Sequence, residues 1–175
     1  MPVNDYRYSL LDPVTHARYT PHITASYCDD RRYLTALNAR LFDIDEAESG
    51  AFINDALADE RTRAWLIVGH DPTLPLPAEG EKAPGPCPSD SVPLPEGMTV
   101  IGCFVLYATP TYASMAGFGL LPEYRGRGLG MESIDLICSK LPQTVKRLDA
   151  HTDSGNAAAC ALYAKAGFVI LEELG

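Results

Sequence analysis

Residues Pro122–Asp135 read PEYRGRGLGMESID, and within them RGRGLG (125–130) places three glycines and two arginines in six positions directly ahead of an apolar helical pattern. A glycine backbone can approach an anion closely and adopt positive φ, and a helix starting here leaves its first N–H groups unpaired. Gly126, Gly128 and Gly130, with the helix start at Leu129 to Met131, therefore form a cradle for phosphate oxygens, and Arg125 and Arg127 add positive charge at its rim. The ligand implied carries a pyrophosphate or a similar group. Spacing excludes two common phosphate loops: there is no GxxxxGK(S/T), and the glycines of GFGLLPEYRGRGLG do not fall at GxGxxG. An RGG-type nucleic-acid segment is disfavoured by the net charge of -9 and by the helix that follows.

Upstream of the turn, SMAGFGLL (114–121) reads as a strand. Gly117 and Gly119 are costly there unless the strand bulges or something approaches its backbone closely. TVIGCFVLYA (99–108) and AWLIVGH (64–70) read as two further strands, and the three together as an antiparallel meander. Helices are expected at 30–41, with Tyr33, Leu34, Leu37 and Leu41 on one side, and at 46–59; a short strand at Tyr6–Leu11 precedes them. Downstream, Gly130, Ile134, Ile137, Cys138 and Leu141 recur at helical spacing until Pro142, and Val145–Thr152 reads as a strand. Ser154-Gly155-Asn156 offers an N-cap for a helix whose inner face is Ala159, Leu162, Tyr163 and Ala166, closed by Gly167. FVILEEL (168–174) is the last strand. The expected order is strand, two helices, three strands, helix, strand, helix, strand.

A chain of 175 residues, 46% hydrophobic, suits one domain. Residues 71–97 hold eight prolines and read as an exposed insertion between two strands. There is no run of eighteen apolar residues, and the charged, polar start MPVNDYRYSL lacks a signal-peptide core, so a soluble, cytoplasmic protein is expected. Five cysteines without a CxxC suggest reduced, mostly buried thiols, and four histidines without ligand spacing suggest no metal. The negative charge argues against nucleic acid or an anionic membrane as partner. It is partly local: from Asp29 to Glu60 stand nine carboxylates against three arginines, either a solvated acidic helical face or a surface suited to a cationic partner.

A second motif, NAAACALYAKAGF (156–168), follows the glycine turn at the distance needed for helix, strand and helix onset. With both motifs in order, the chain resembles the GNAT superfamily of acyl-CoA-dependent N-acetyltransferases. Arg125, Gly128 and Gly130 match that family's R/Q-x-x-G-x-G/A turn. Asn156, Ala159, Leu162, Tyr163, Lys165, Gly167 and Phe168 match its last conserved helix. The resemblance is specific over Thr99–Phe168. It implies an α+β fold with a mostly antiparallel sheet splayed between the family's fourth and fifth strands and flanked by four helices.

The resemblance also implies a cosubstrate and roles. Acetyl-CoA would bind with its pyrophosphate on the turn and its pantetheine along Phe118, Gly119 and Leu120, where an N–H near Leu120 would polarise the thioester carbonyl. Asn156 would reach the pantetheine arm. Tyr163 matches the family's general acid, a phenol that stays protonated at neutral pH and can donate to the departing sulfur. The base is open: the fourth-strand glutamate of many relatives is Ser114 here, and His151 is the candidate, with Asp153 or a water chain as competitors. The acidic segment 29–60 would wall an acceptor site for a small cationic amine such as a polyamine, aminoglycoside or amino sugar. A protein or peptide acetyltransferase and an inactive acyl-CoA-binding module are the alternatives. Because relatives continue into a seventh strand, a sheet edge is expected to be bare here unless a second subunit, as in a homodimer, covers it.

Overall fold

The computed structural model describes residues 5–20, 22–69, 98–153 and 156–173. The proline-rich stretch at 71–97 lies outside them. The elements run β1 Asp5–Leu11, β2 Ile23–Cys28, α1 Arg31–Phe42, α2 Glu46–Ala56, β3 Thr62–Gly69, β4 Thr99–Ala108, β5 Tyr112–Leu120, α3 Leu129–Ser139, β6 Arg147–Asp153, α4 Ala157–Ala166 and β7 Val169–Glu173. Each cap has a local cause. The Asp30 carboxylate accepts from the Tyr33 N–H, Asp45 from Glu48, and the Asn156 amide oxygen from Ala159, while Gly167 ends α4 at φ 101°.

The strands form one seven-stranded sheet in the order β2-β3-β4-β5-β6-β1-β7. All neighbours are antiparallel except β5 and β6. With its four helices this is the expected α+β architecture, but the count of strands corrects the sequence reading twice. ITASYC (23–28) is a strand that was not expected; its mixed composition of Thr, Ser and Ala gives little periodic signal. The N-terminal strand, moreover, crosses the sheet and inserts between β6 and β7, antiparallel to both, with Tyr8 opposite Ala150 on one side and Ile170 on the other. The sheet thereby reaches seven strands, and β2 and β7 are its two edges.

Alternation along the strands puts Trp65, Phe104, Leu106, Met115, Ala150 and Tyr8 on one face. There Tyr163 of α4 meets Tyr8 at 5.4 Å between ring centroids, and Lys140, just after α3, lies over Trp65. α1 and α2 cover the other face, against Gly117 and Gly119 of β5. Leu34, Leu37, Ile53, Leu66, Phe104, Ile134 and Ile137 are fully enclosed between these layers. The cysteines differ in part from expectation: Cys103, Cys138 and Cys160 are free thiols, but Cys28 is disulfide-bonded. Among the described residues no helix is long and apolar enough to cross a membrane.

Candidate functional site

The site begins with a defect in β5. Cys103 of β4 faces Gly119 and Val105 faces Ala116, so Gly117 and Phe118 together stand opposite Phe104 alone. This is a β-bulge, and Gly117 takes φ +58°, a conformation open chiefly to glycine. The parallel pairing of β5 with β6 ends just before it, at Met115 opposite Ala150. Beyond that point β5 stays with β4 while β6 stays with β1, and the two strands splay. The other prediction for these glycines also holds: a Cβ at Gly117 would lie 3.1 Å from the Phe52 ring, and one at Gly119 3.3 Å from Phe42.

At the end of the open strand comes the glycine turn. Tyr124, fully buried, anchors it, and Gly126 and Gly128 adopt φ of +75° and +79° with nothing within 4 Å of where a Cβ would stand. Gly128 is the N-cap of α3 and offers no side-chain oxygen to the first N–H groups of the helix. An uncapped helix start beside two glycines with clear space is an arrangement that can hold an anionic group such as a diphosphate, whereas at Gly130 a Cβ would already stand 3.3 Å from Leu162. Arg125 is turned inward: its Nε donates to the Leu120 carbonyl at 2.8 Å and its guanidinium to the Leu41 carbonyl at 3.0 Å. With the Arg40–Glu123 ion pair at 2.6 Å, it ties the end of α1 to the turn.

Splay, turn and helix ends enclose a cleft of about 620 Å³. Phe118, Gly119, Leu120, Arg125, Gly126, Gly128, Gly130, Met131, Asn156 and Tyr163 all line it, so residues far apart in the chain share one cavity. Leu129 is buried instead and Arg127 is exposed outside the lining. Leu41, Phe42 and Asp43 enter it from α1, a contribution that the sequence reading missed because Leu41 counted there as helix core and Phe42 fell beyond the expected helix end. Burial, then the neighbouring Cys160 and Tyr8, push the Tyr163 phenol up to about 12. It therefore keeps its proton through the physiological range and can act only as a donor there.

The candidate base stands apart. His151 does not line the cleft; by strand alternation it lies on the face opposite Tyr163, and its Nε2 accepts from Arg7 Nε at 3.2 Å. That lone pair is engaged unless the guanidinium moves. Two residues earlier, the enclosed Asp149 carboxylate gathers the Ser9 hydroxyl, the Tyr112 hydroxyl at 2.9 Å and Arg147 at 2.8 Å, locking β1, β5 and β6 together. Ser114 is half-buried opposite Asp149. The side chain of Asp153 lies outside the described part. On this same face a second cavity, about 250 Å³, opens between α1, α2 and the bulge, lined by Asn38, Phe42, Ile44, Glu48, Phe52 and Gly117. Phe42 borders both cavities.

The model of the acetyltransferase (GNAT) family matches residues 54–168 of the chain. Among solved structures, it is similar to a conserved protein of unknown function from Staphylococcus epidermidis, at 10% identity and TM-score 0.62, over 98% of this chain and 58% of that one. A GCN5-related N-acetyltransferase from Sphaerobacter thermophilus matches at 16% identity and TM-score 0.60, over 99% and 50% of the two chains. An acetyltransferase of the GNAT family from Colwellia psychrerythraea matches at 13% identity and TM-score 0.59, over 98% and 54%. At such identities the likeness is one of fold, and the chain spans only 50–58% of the length of these structures. No curated protein sequence matches it.

Proposed function

The chain belongs to the GNAT acetyltransferase family, and on that premise we propose that it transfers an acetyl group from acetyl-CoA to the primary amine of a small cationic acceptor by direct attack. The observation that carries the proposal is the single cleft running from the Gly126–Gly128 cradle, along the unpaired half of β5, to Tyr163. When bound, acetyl-CoA supplies an activated acyl group and a thiol leaving group. The chain's own part is to hold and orient. The first N–H groups of α3 grip the diphosphate, the open backbone of Phe118–Leu120 binds the extended arm, and an N–H near Leu120 draws charge from the carbonyl.

Tyr163 Oη then gives its proton to the departing sulfur, as its retained proton allows. The acceptor approaches from the opposite face of the sheet, through the gap between β5 and β6. His151 lies on that face and would take the amine's proton only after releasing Arg7, so a water chain competes with it for the role. Thiol release from acetyl-CoA, followed with a panel of amines, tests the reading. Tyr163→Phe is expected to lower kcat by roughly 10²–10³-fold while leaving acetyl-CoA affinity unchanged. Turnover equal to that of the unmodified chain would remove Tyr163 from the chemistry.

A further inference from the structure

The cavity beside the bulge narrows the acceptor further than charge alone does. Its volume, about 250 Å³, is below the range of about 300–1,000 Å³ usual for drug-sized ligands. Two phenyl rings and Ile44 form much of its wall, and Glu48 is the one carboxylate among the described residues that line it. The other acidic groups of 29–60 have different places. Asp30 and Asp45 cap helices, Asp59 is bound to Arg61 at 3.1 Å, and Asp43 belongs to the larger cleft. Asp29, Glu46, Asp55 and Glu60 lie outside the lining of either cavity. The acidity legible in the sequence is therefore not concentrated where an acceptor would sit.

We infer that the acceptor is a compact primary monoamine with an apolar body, alkyl or arylalkyl, whose ammonium is recognised by Glu48 and whose body packs between Phe42 and Phe52. The inference rests on the acetyltransferase reading for its relevance to turnover. An aminoglycoside exceeds the cavity, and the second and third charges of a polyamine find no further carboxylate among the described residues that line it. Aromatic walls favour both an apolar body and a cation at the ring face. Phe42 separates this cavity from the donor cleft, so an amine seated here lies one side chain away from the open strand.

Equilibrium titration of the full chain with 2-phenylethylamine and with spermidine decides the matter independently of catalysis. 2-Phenylethylamine is expected to bind at least about tenfold more tightly than spermidine, and Glu48→Gln to weaken it about tenfold. Glu46→Gln, one turn-edge neighbour outside the cavity, is expected to leave it unchanged. Spermidine binding as tightly as the monoamine, no binding of 2-phenylethylamine, or equal losses in both glutamate variants would overturn the inference. Acetyl-CoA binding and thiol release, measured separately, report on the acetyltransferase reading: their absence alongside selective monoamine binding would sink that reading and leave the pocket assignment standing.

Discussion

From Tyr112 to Met115, β5 is bonded to β4 on one side and β6 on the other, and Ala113 and Met115 are buried in the regular alternation of a central strand. From Ala116 to Leu120 the same strand keeps only β4, carries a bulge, and bares its second edge to a cleft. The first half is satisfied by its two neighbouring strands. The second half has no strand partner on its β6 side, where Arg125 reaches the Leu120 carbonyl at 2.8 Å, and two glycines admit the rings of Phe52 and Phe42 against the strand. A binding site here is made by interrupting a sheet at a point where the rest of the sheet, locked by Asp149 and its partners, stays closed.

The contrast can be broken by substitution. Met115→Ala, in the closed half, is expected to cost about 2–5 kcal/mol of stability, read by denaturant melting, because a buried methionine leaves a cavity. Acetyl-CoA affinity measured on the folded fraction should be unaltered. Gly117→Ala, in the open half, should cost less, about 1–2 kcal/mol for the left-handed conformation, yet reduce acetyl-CoA binding and turnover. If Gly117→Ala were neutral for binding while Met115→Ala impaired it, the division of the strand would be wrong.

A pH titration sharpens the same division. The Tyr163 phenol has a folded pKa of about 12 against an ordinary 10, so folding favours its protonated form. Its contribution to stability is whole below pH 10 and is lost as pH rises through about 12. Melting curves between these limits should fall for the unmodified chain and fall less for Tyr163→Phe. The smallest effect is expected at Glu123→Gln, which removes a partly exposed ion pair tying α1 to the turn: at most about 1 kcal/mol by thermal melting, and less in high salt.

Much of the donor side was readable from residues alone because backbone geometry there demands particular residue types. Gly126, Gly128 and Gly167 all adopt positive φ, Asn156 caps the helix it was expected to cap, and the bulge at Gly117 resolves the cost of glycine within a strand. The small cavity proposed for the acceptor was not readable in this way. Phe42, Glu48 and Phe52 are ordinary helix residues whose convergence on Gly117 depends on how α1 and α2 lie on the sheet. Nor could spacing reveal that His151 would be held by Arg7 from a strand 144 residues earlier.

Local conformational preference and short-range motif spacing were enough to give the family, the order of most elements and the positive-φ glycines of the turn. Tertiary packing alone put β1 between β6 and β7, left most carboxylates of 29–60 capping helices, paired or outside the lining of the small cavity, and engaged His151. Strand order and side-chain convergence are settled by packing between distant segments, where many partners satisfy the same local pattern and only the assembled sheet selects among them.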